Sequence, residues 1–157
     1  MRSAMLRAAT AILFIACTGC GSEPPMEAAT LALETADPRF EILLESSLPT
    51  AAAATRELRL RLVAKAGWHM EPAAPTTLEL SAPPGIELEA ALQRGEDAVH
   101  SSGESIEFAV AYRVAADHAP IDANTHVEGR VKFGVCRNES PRCEIVHREL
   151  QIPLARF

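Results

Sequence analysis

The chain has 157 residues, of which 15 are Lys or Arg and 21 are Asp or Glu, giving a formal charge of −6. An acidic chain with no basic cluster argues against nucleic acid as a partner and against a polybasic hold on a membrane surface. No stretch is apolar over the roughly 20 residues that a membrane-spanning helix needs.

Residues 1–20 read as an export signal. Arg2 and Arg7 supply positive charge ahead of a short apolar run from Ala8 to Ala16, the layout of a cleaved signal peptide. Cys17 and Cys20 follow that run, and the surroundings of each resemble the bacterial lipoprotein processing box with one imperfect position. The resemblance implies cleavage just before Cys20 or Cys17 and lipid attachment to its sulfur, with an ordinary secreted protein as the alternative. Loss of Arg2 and Arg7 with the signal brings the charge to about −8. About 137 residues then remain, enough for one core and not for two.

Residues 21–38 contain Gly21, Pro24, Pro25 and Asp37-Pro38 among small residues, a composition that predicts a flexible tether. The domain is expected over 39–157. Pro49 to Thr55 is expected as a loop, being too short for an independent helix.

Period-two alternation then dominates. Leu58, Leu60 and Leu62 mark one strand, and Ile106, Phe108, Val110, Tyr112 and Val114 another. Val127, Val131, Phe133 and Val135 face one side of a third, while Val146, Leu150, Ile152 and Leu154 continue to the C-terminus. Shorter apolar runs at Phe40–Leu44, Thr77–Leu80 and Ile86–Leu88 are bounded by prolines or Gly85, and Pro72, Pro75, Pro83 and Pro84 exclude long helices there. Glu89 to Arg94 is expected as at most one helical turn. The sum is about seven short strands, which predicts an all-β fold, an antiparallel sandwich of immunoglobulin-like type.

Cys136 and Cys143 bracket six residues between two of these strands. In an oxidising compartment two close cysteines are expected to pair, as a permanent staple or as a couple made and broken in use. If Cys20 carries the lipid they have no partner but each other; if Cys17 does, Cys20 is left over. Counting by twos from Lys132 puts Cys136 on the solvent parity, and Cys143 shares parity with His147, so both sulfurs are expected to point away from the main core. Arg137 and Arg142 favour a thiolate, Glu139 and Glu144 oppose it, and Pro141 stiffens the loop. Asn138-Glu139-Ser140 matches a glycosylation acceptor, a chance match in a bacterial lipoprotein.

Several stretches, in order, resemble the N-terminal periplasmic domain of the thiol:disulfide interchange protein DsbD, a disulfide bond corrector-like family. They are Ala66-Gly67-Trp68-His69-Met70, Thr76 to Leu80, Pro84 to Leu88, the hairpin from Val131 through Cys136 to Cys143, and Leu150 to Leu154. Together they cover roughly residues 40 to 155. The resemblance implies an immunoglobulin-like domain with Cys136 and Cys143 as a redox pair, a thiol:disulfide oxidoreductase module without a cofactor. It also implies exchange partner proteins: a separate membrane-embedded or thioredoxin-like electron donor, and oxidised proteins beyond the inner membrane. The expected location is the periplasmic side of a bacterial membrane, held by a lipid anchor, or secreted if no lipid is attached. Two departures stand out. The region matching the family's aromatic cap, Glu96 to Glu104, holds no aromatic residue, and the family's cysteine spacing is tighter.

Two other chemistries compete. A β-sandwich binding or scaffold lipoprotein would use the same disulfide structurally. His69, His100, His118, His126 and His147 could join the cysteines around copper or zinc, but no two histidines share a tight ligand spacing, so no metal is expected. Trp68 reads as a packed aromatic beside a surface His69.

Overall fold

The computed structural model describes residues 29–46, 55–116, 121–122, 124–140 and 142–154. The two candidate lipidation sites Cys17 and Cys20, the signal segment, most of the Pro49–Thr55 loop and Pro141 lie outside them. Among the described residues no helix is long and apolar enough to cross a membrane.

Eleven strands follow in order: β1 Ala29–Glu34, β2 Phe40–Ser46, β3 Thr55–Ala64, β4 Trp68–Met70, β5 Thr77–Ser81, β6 Ile86–Leu88, β7 Leu92–Arg94, β8 His100–Ser101, β9 Ser105–Val114, β10 His126–Arg137 and β11 Cys143–Pro153. They form two antiparallel sheets. One runs β1-β2-β3-β9-β6 with β8 also on β9, and the other runs β11-β10-β5-β7 with β4 also on β10. The molecule is therefore the antiparallel β-sandwich that the alternation predicts. All seven expected strands are present, and β1, β4, β7 and β8 are additional.

Alternation explains the core. Phe40, Ile42 and Leu44 of β2, Leu58, Leu60 and Leu62 of β3, and Ile106, Phe108, Val110 and Tyr112 of β9 line the inner face of the first sheet. Val127, Val131, Phe133 and Val135 of β10 and Val146, Leu150 and Ile152 of β11 answer them from the second. Phe40 and Phe133 meet edge to face across the sandwich, with ring centroids 4.9 Å apart, the geometry that aromatic quadrupoles favour.

Two expectations are corrected. Residues 29–34, read from composition as tether, pair with β2 as β1. Asp37, in the same stretch, accepts from Arg39 and from Arg148 of β11 at 2.7 and 2.8 Å. Leu92–Arg94 is a strand paired to β5 rather than a helical turn; the one 3-10 turn among the described residues falls just after it, at Gly95–Asp97.

Candidate functional site

The site sits where β10 ends. Its other edge is in register with β11 over its whole length, from His126 opposite Pro153 to Cys136 opposite Cys143. Arg137 N–H donates to Arg142 O, so the cysteine pair one step inward is a non-hydrogen-bonded pair, the kind that brings Cα atoms and side chains closest. The Cα atoms are 4.0 Å apart and a disulfide joins the sulfurs.

On its opposite edge β10 receives two short strands in succession. β5 pairs with Glu128 to Lys132, and β4 pairs with Val135 to Arg137, placing His69 opposite Cys136 and Trp68 opposite Arg137. His69, Cys136 and Cys143 thus form a row across three strands, on one face of the sheet because directly opposed residues share a face. Glu71, two residues after His69, keeps the same parity.

Between β4 and β5 the chain carries Pro72 and Pro75 and leaves the ladder. Proline has no N–H to give a sheet, so the segment arches over the outer face instead. Glu71 N–H donates to Gly134 O at 3.0 Å, and Ala74 N–H closes a turn onto Glu71 O. The arch comes so close to β10 that a Cβ built on Gly134 would lie 2.5 Å from the Cβ of Ala74. Only glycine permits that approach.

This arch corrects the expectation for the cysteines. Cys136 does lie off the inter-sheet core cluster, as its parity predicts, but the arch covers it and leaves it 1% exposed. Cys143, on the edge strand β11, is exposed. The pair is therefore asymmetric, one cysteine buried and the other exposed.

The immediate surroundings are polar. Glu71 Oε2 lies 3.9 Å from Cys136 Sγ, and ligand atoms of His69, Glu71 and Cys136 all fall within 4.8 Å of one another. His69 Nδ1 is 2.8 Å from Asn138 Oδ1. A carboxamide oxygen only accepts, so Nδ1 is the donor, and in the neutral ring Nε2 holds the lone pair. The turn entering β4 is set by Gly67, at φ +86°, whose carbonyl accepts from Asn138 N–H at 3.0 Å. Trp68 packs against the core edge, and the Arg137 guanidinium lies 5.9 Å from its ring centroid, at the outer reach of a cation–π contact.

The segment Glu96 to Glu104 borders the site although it has no aromatic residue. Gly103 O accepts from Met70 N–H at 2.7 Å, and a Cβ built on Gly103 would lie 3.9 Å from the His69 Cβ. An open groove of about 500 Å³ runs here, lined by Trp68, His69, Gly103, Glu104 and Asn138 among others.

Cys136 and Cys143 were legible as a pair in the sequence; His69 was one of five histidines weighed beside them without being set apart, and Glu71 was not singled out. The parity of residues 68–71 does separate Trp68 and Met70 from His69 and Glu71. What the sequence lacks is the pairing partner of a three-residue strand more than sixty positions from the cysteines. His100 and His126 are exposed and lie apart from this cluster, His147 is exposed on β11, and His118 is outside the described residues.

No protein-family model matches the chain, and no curated protein matches it. Among solved structures it is similar to the GAE domain of GGA2p from Saccharomyces cerevisiae, with a TM-score of 0.44 and 13% identity over 80% of this chain and 98% of that one. The GAE domain of yeast GGA1 gives 0.43 and 10% identity over 78% and 97%. The N-terminal periplasmic domain of ScsB from Proteus mirabilis gives 0.45 and 11% identity over 82% of this chain, which spans 53% of that one. All three TM-scores lie below 0.5, so the functional reading rests on the chemistry of the site.

Proposed function

We propose that this chain is an extracytoplasmic thiol–disulfide interchange domain that relays electron pairs through Cys136 and Cys143, held to a membrane by lipid on Cys20 or Cys17. The observation that carries the reading is the asymmetry of the pair. A disulfide kept for stability in a sandwich is expected to tie the two sheets through the core. This one ties neighbouring strands that already pair over eleven positions, outside the core cluster. Closing so short a loop stabilises by about 2.5 kcal/mol at most in the chain-entropy model, and the ladder already supplies much of that closure.

Exposure assigns the roles. A donor's thiolate attacks the sulfur of Cys143, the accessible one, and Cys136 leaves as a thiolate that takes a proton. The donor's second thiolate then attacks its own sulfur in the mixed disulfide, releasing Cys143 and leaving the donor oxidised. Two electrons and two protons have entered the domain. In the forward direction the Cys143 thiolate attacks a target's disulfide, and Cys136 resolves the adduct by attacking Cys143 and expelling the target's thiolate. The target is reduced and the domain returns to its disulfide. The electron donor is a separate membrane-embedded or thioredoxin-like protein and the recipients are oxidised extracytoplasmic proteins.

The test is to mix the oxidised domain with a reduced thioredoxin-class protein, quench with acid and weigh the products. Exchange predicts rapid appearance of two thiols in the domain. The Cys136→Ser variant, mixed instead with a protein that carries a disulfide, is expected to accumulate a mixed disulfide through Cys143, because it lacks the resolving sulfur. No transfer and no adduct, with the fold intact, would assign the bond to a scaffold.

A further inference from the structure

Disulfide exchange uses the two sulfurs and leaves His69 and Glu71 unexplained. Around Cys136 they supply an imidazole and a carboxylate within 4.8 Å, on the same face as the row His69–Cys136–Cys143 set by the ladder. Opening the bond turns that row into a four-ligand set: two thiolates, an imidazole nitrogen and a carboxylate oxygen. We propose that the reduced domain binds one zinc ion through Cys136, Cys143, His69 and Glu71, and that the disulfide closes this site.

The distances among His69, Glu71 and Cys136 are near those of a tetrahedral zinc centre. Zinc bonds of about 2.3 Å to sulfur and about 2.0 Å to nitrogen or oxygen set ligand atoms roughly 3.3 to 3.8 Å apart. The Cys136 Sγ to Glu71 Oε2 separation is 3.9 Å, and the remaining separations within the cluster need to close by no more than about an ångström and a half. The two sulfurs, joined by the disulfide, must instead move apart, which happens only when the bond opens. Cys143 sits on the open side and gives the ion a route in.

The hydrogen bond that would orient the histidine is also in place. A metal-bound histidine characteristically donates its other ring N–H to a carbonyl or carboxylate, which fixes the tautomer and strengthens the ligand. Asn138 Oδ1 already accepts from His69 Nδ1, which leaves the Nε2 lone pair free. Two thiolates with one imidazole and one carboxylate form a donor set that suits zinc over the hard cations magnesium and calcium.

The redox step balances simply. An external dithiol gives two electrons and two protons to the disulfide and becomes a disulfide itself. Zinc then displaces the two thiol protons to solvent. Oxidation by a disulfide reverses both steps and sets the ion free. By linkage, zinc at the reduced pair makes it harder to oxidise. The site requires only that the bond can be opened, which a phosphine does chemically, so it is independent of exchange with other proteins.

The experiment titrates the whole exported chain, phosphine-reduced or oxidised, with Zn²⁺ against a chromophoric chelator, and repeats the reduced titration with Co²⁺ as a spectroscopic reporter. Expected are stoichiometric uptake of one ion by the reduced chain, at least about 100-fold weaker binding by the oxidised chain, and the sulfur-to-cobalt charge-transfer band of a tetrahedral thiolate site. His69→Ala, a half-buried change at a sheet edge, is expected to weaken zinc by about 10- to 100-fold, and Asn138→Ala by about tenfold. Equal binding by reduced and oxidised chains, or a His69→Ala chain that binds as tightly as wild type, would overturn the proposal. These comparisons read metal alone, so they can fail while protein exchange succeeds, and the reverse.

Discussion

Gly134 lets the arch lie close against β10 beside Cys136. A methyl group there would meet the Cβ atoms of Ala74 at 2.5 Å and Glu71 at 3.2 Å, and neither can yield without moving the arch backbone. Gly134→Ala is therefore expected to cost about 1–3 kcal/mol by overpacking and to lift the arch. Thermal unfolding measures the first effect. Reduction of the disulfide by a small thiol measures the second and should become faster, because both sulfurs are then open to attack. Glu71 acts on the same sulfur electrostatically. A carboxylate 3.9 Å away opposes the negative charge that grows on Cys136 as it leaves. Glu71→Gln is expected to speed reduction of the disulfide by a dithiol about three- to tenfold, as followed by quenched thiol labelling; a slower reaction would show that Glu71 assists departure. The parity count correctly turned Cys136 away from the core, because alternation is a local property. Its burial depends on a segment sixty residues earlier, and no local pattern carries that.

At the scale of elements, the β4–β5 arch and the β1–β2 corner show where composition misleads. Asp37 and Pro38 look like linker residues, yet Asp37 is only 8% exposed and holds two guanidinium groups, Arg39 and Arg148. Those two cations lie 5.6 and 5.2 Å from the centroid of the Phe40 ring, and Arg39 also pairs with Glu144 of β11. The corner thus ties the edge of one sheet to the edge strand of the other. The hydrogen bond from Arg39, opposed by burial and aided by the charge of Arg148, holds the Asp37 carboxyl at about 2, below its ordinary 3.8. A carboxyl depressed by folding contributes stability that is fully present above pH 4 and is lost as pH falls toward 2. The increment is about 2 kcal/mol. Asp37→Asn is expected to lower stability at pH 7 by about that amount and to flatten the stability profile between pH 4 and pH 2. Denaturant unfolding at several pH values checks both, and an unchanged profile would show the corner to be incidental. Composition could not signal this, since Asp-Pro is as common in turns as in ion-paired corners.

The whole molecule was the most legible level. Seven strands could be read from alternation because each buries one face against the opposite sheet, and the core residues named from the sequence are those that line the sandwich. The four additional strands were invisible because three have only two or three residues and the fourth lies in a small-residue stretch. Such elements are held by partners rather than by their own pattern. Replacing both Cys136 and Cys143 with Ala is expected to leave the β-sheet circular dichroism unchanged and to cost no more than about 2.5 kcal/mol; collapse of the fold would identify the bond as structural.

The central claim is that the bond between Cys136 and Cys143 is made and broken in use, and its reduction potential tests this most directly. Equilibration of the purified chain, free of metal, with glutathione couples of known ratio, followed by counting free thiols by mass, gives the value. A potential above about −270 mV, within the range of thiol-transfer proteins, is the predicted result. A potential below about −300 mV would mark a bond that the thiol pool does not open, and would contradict the account.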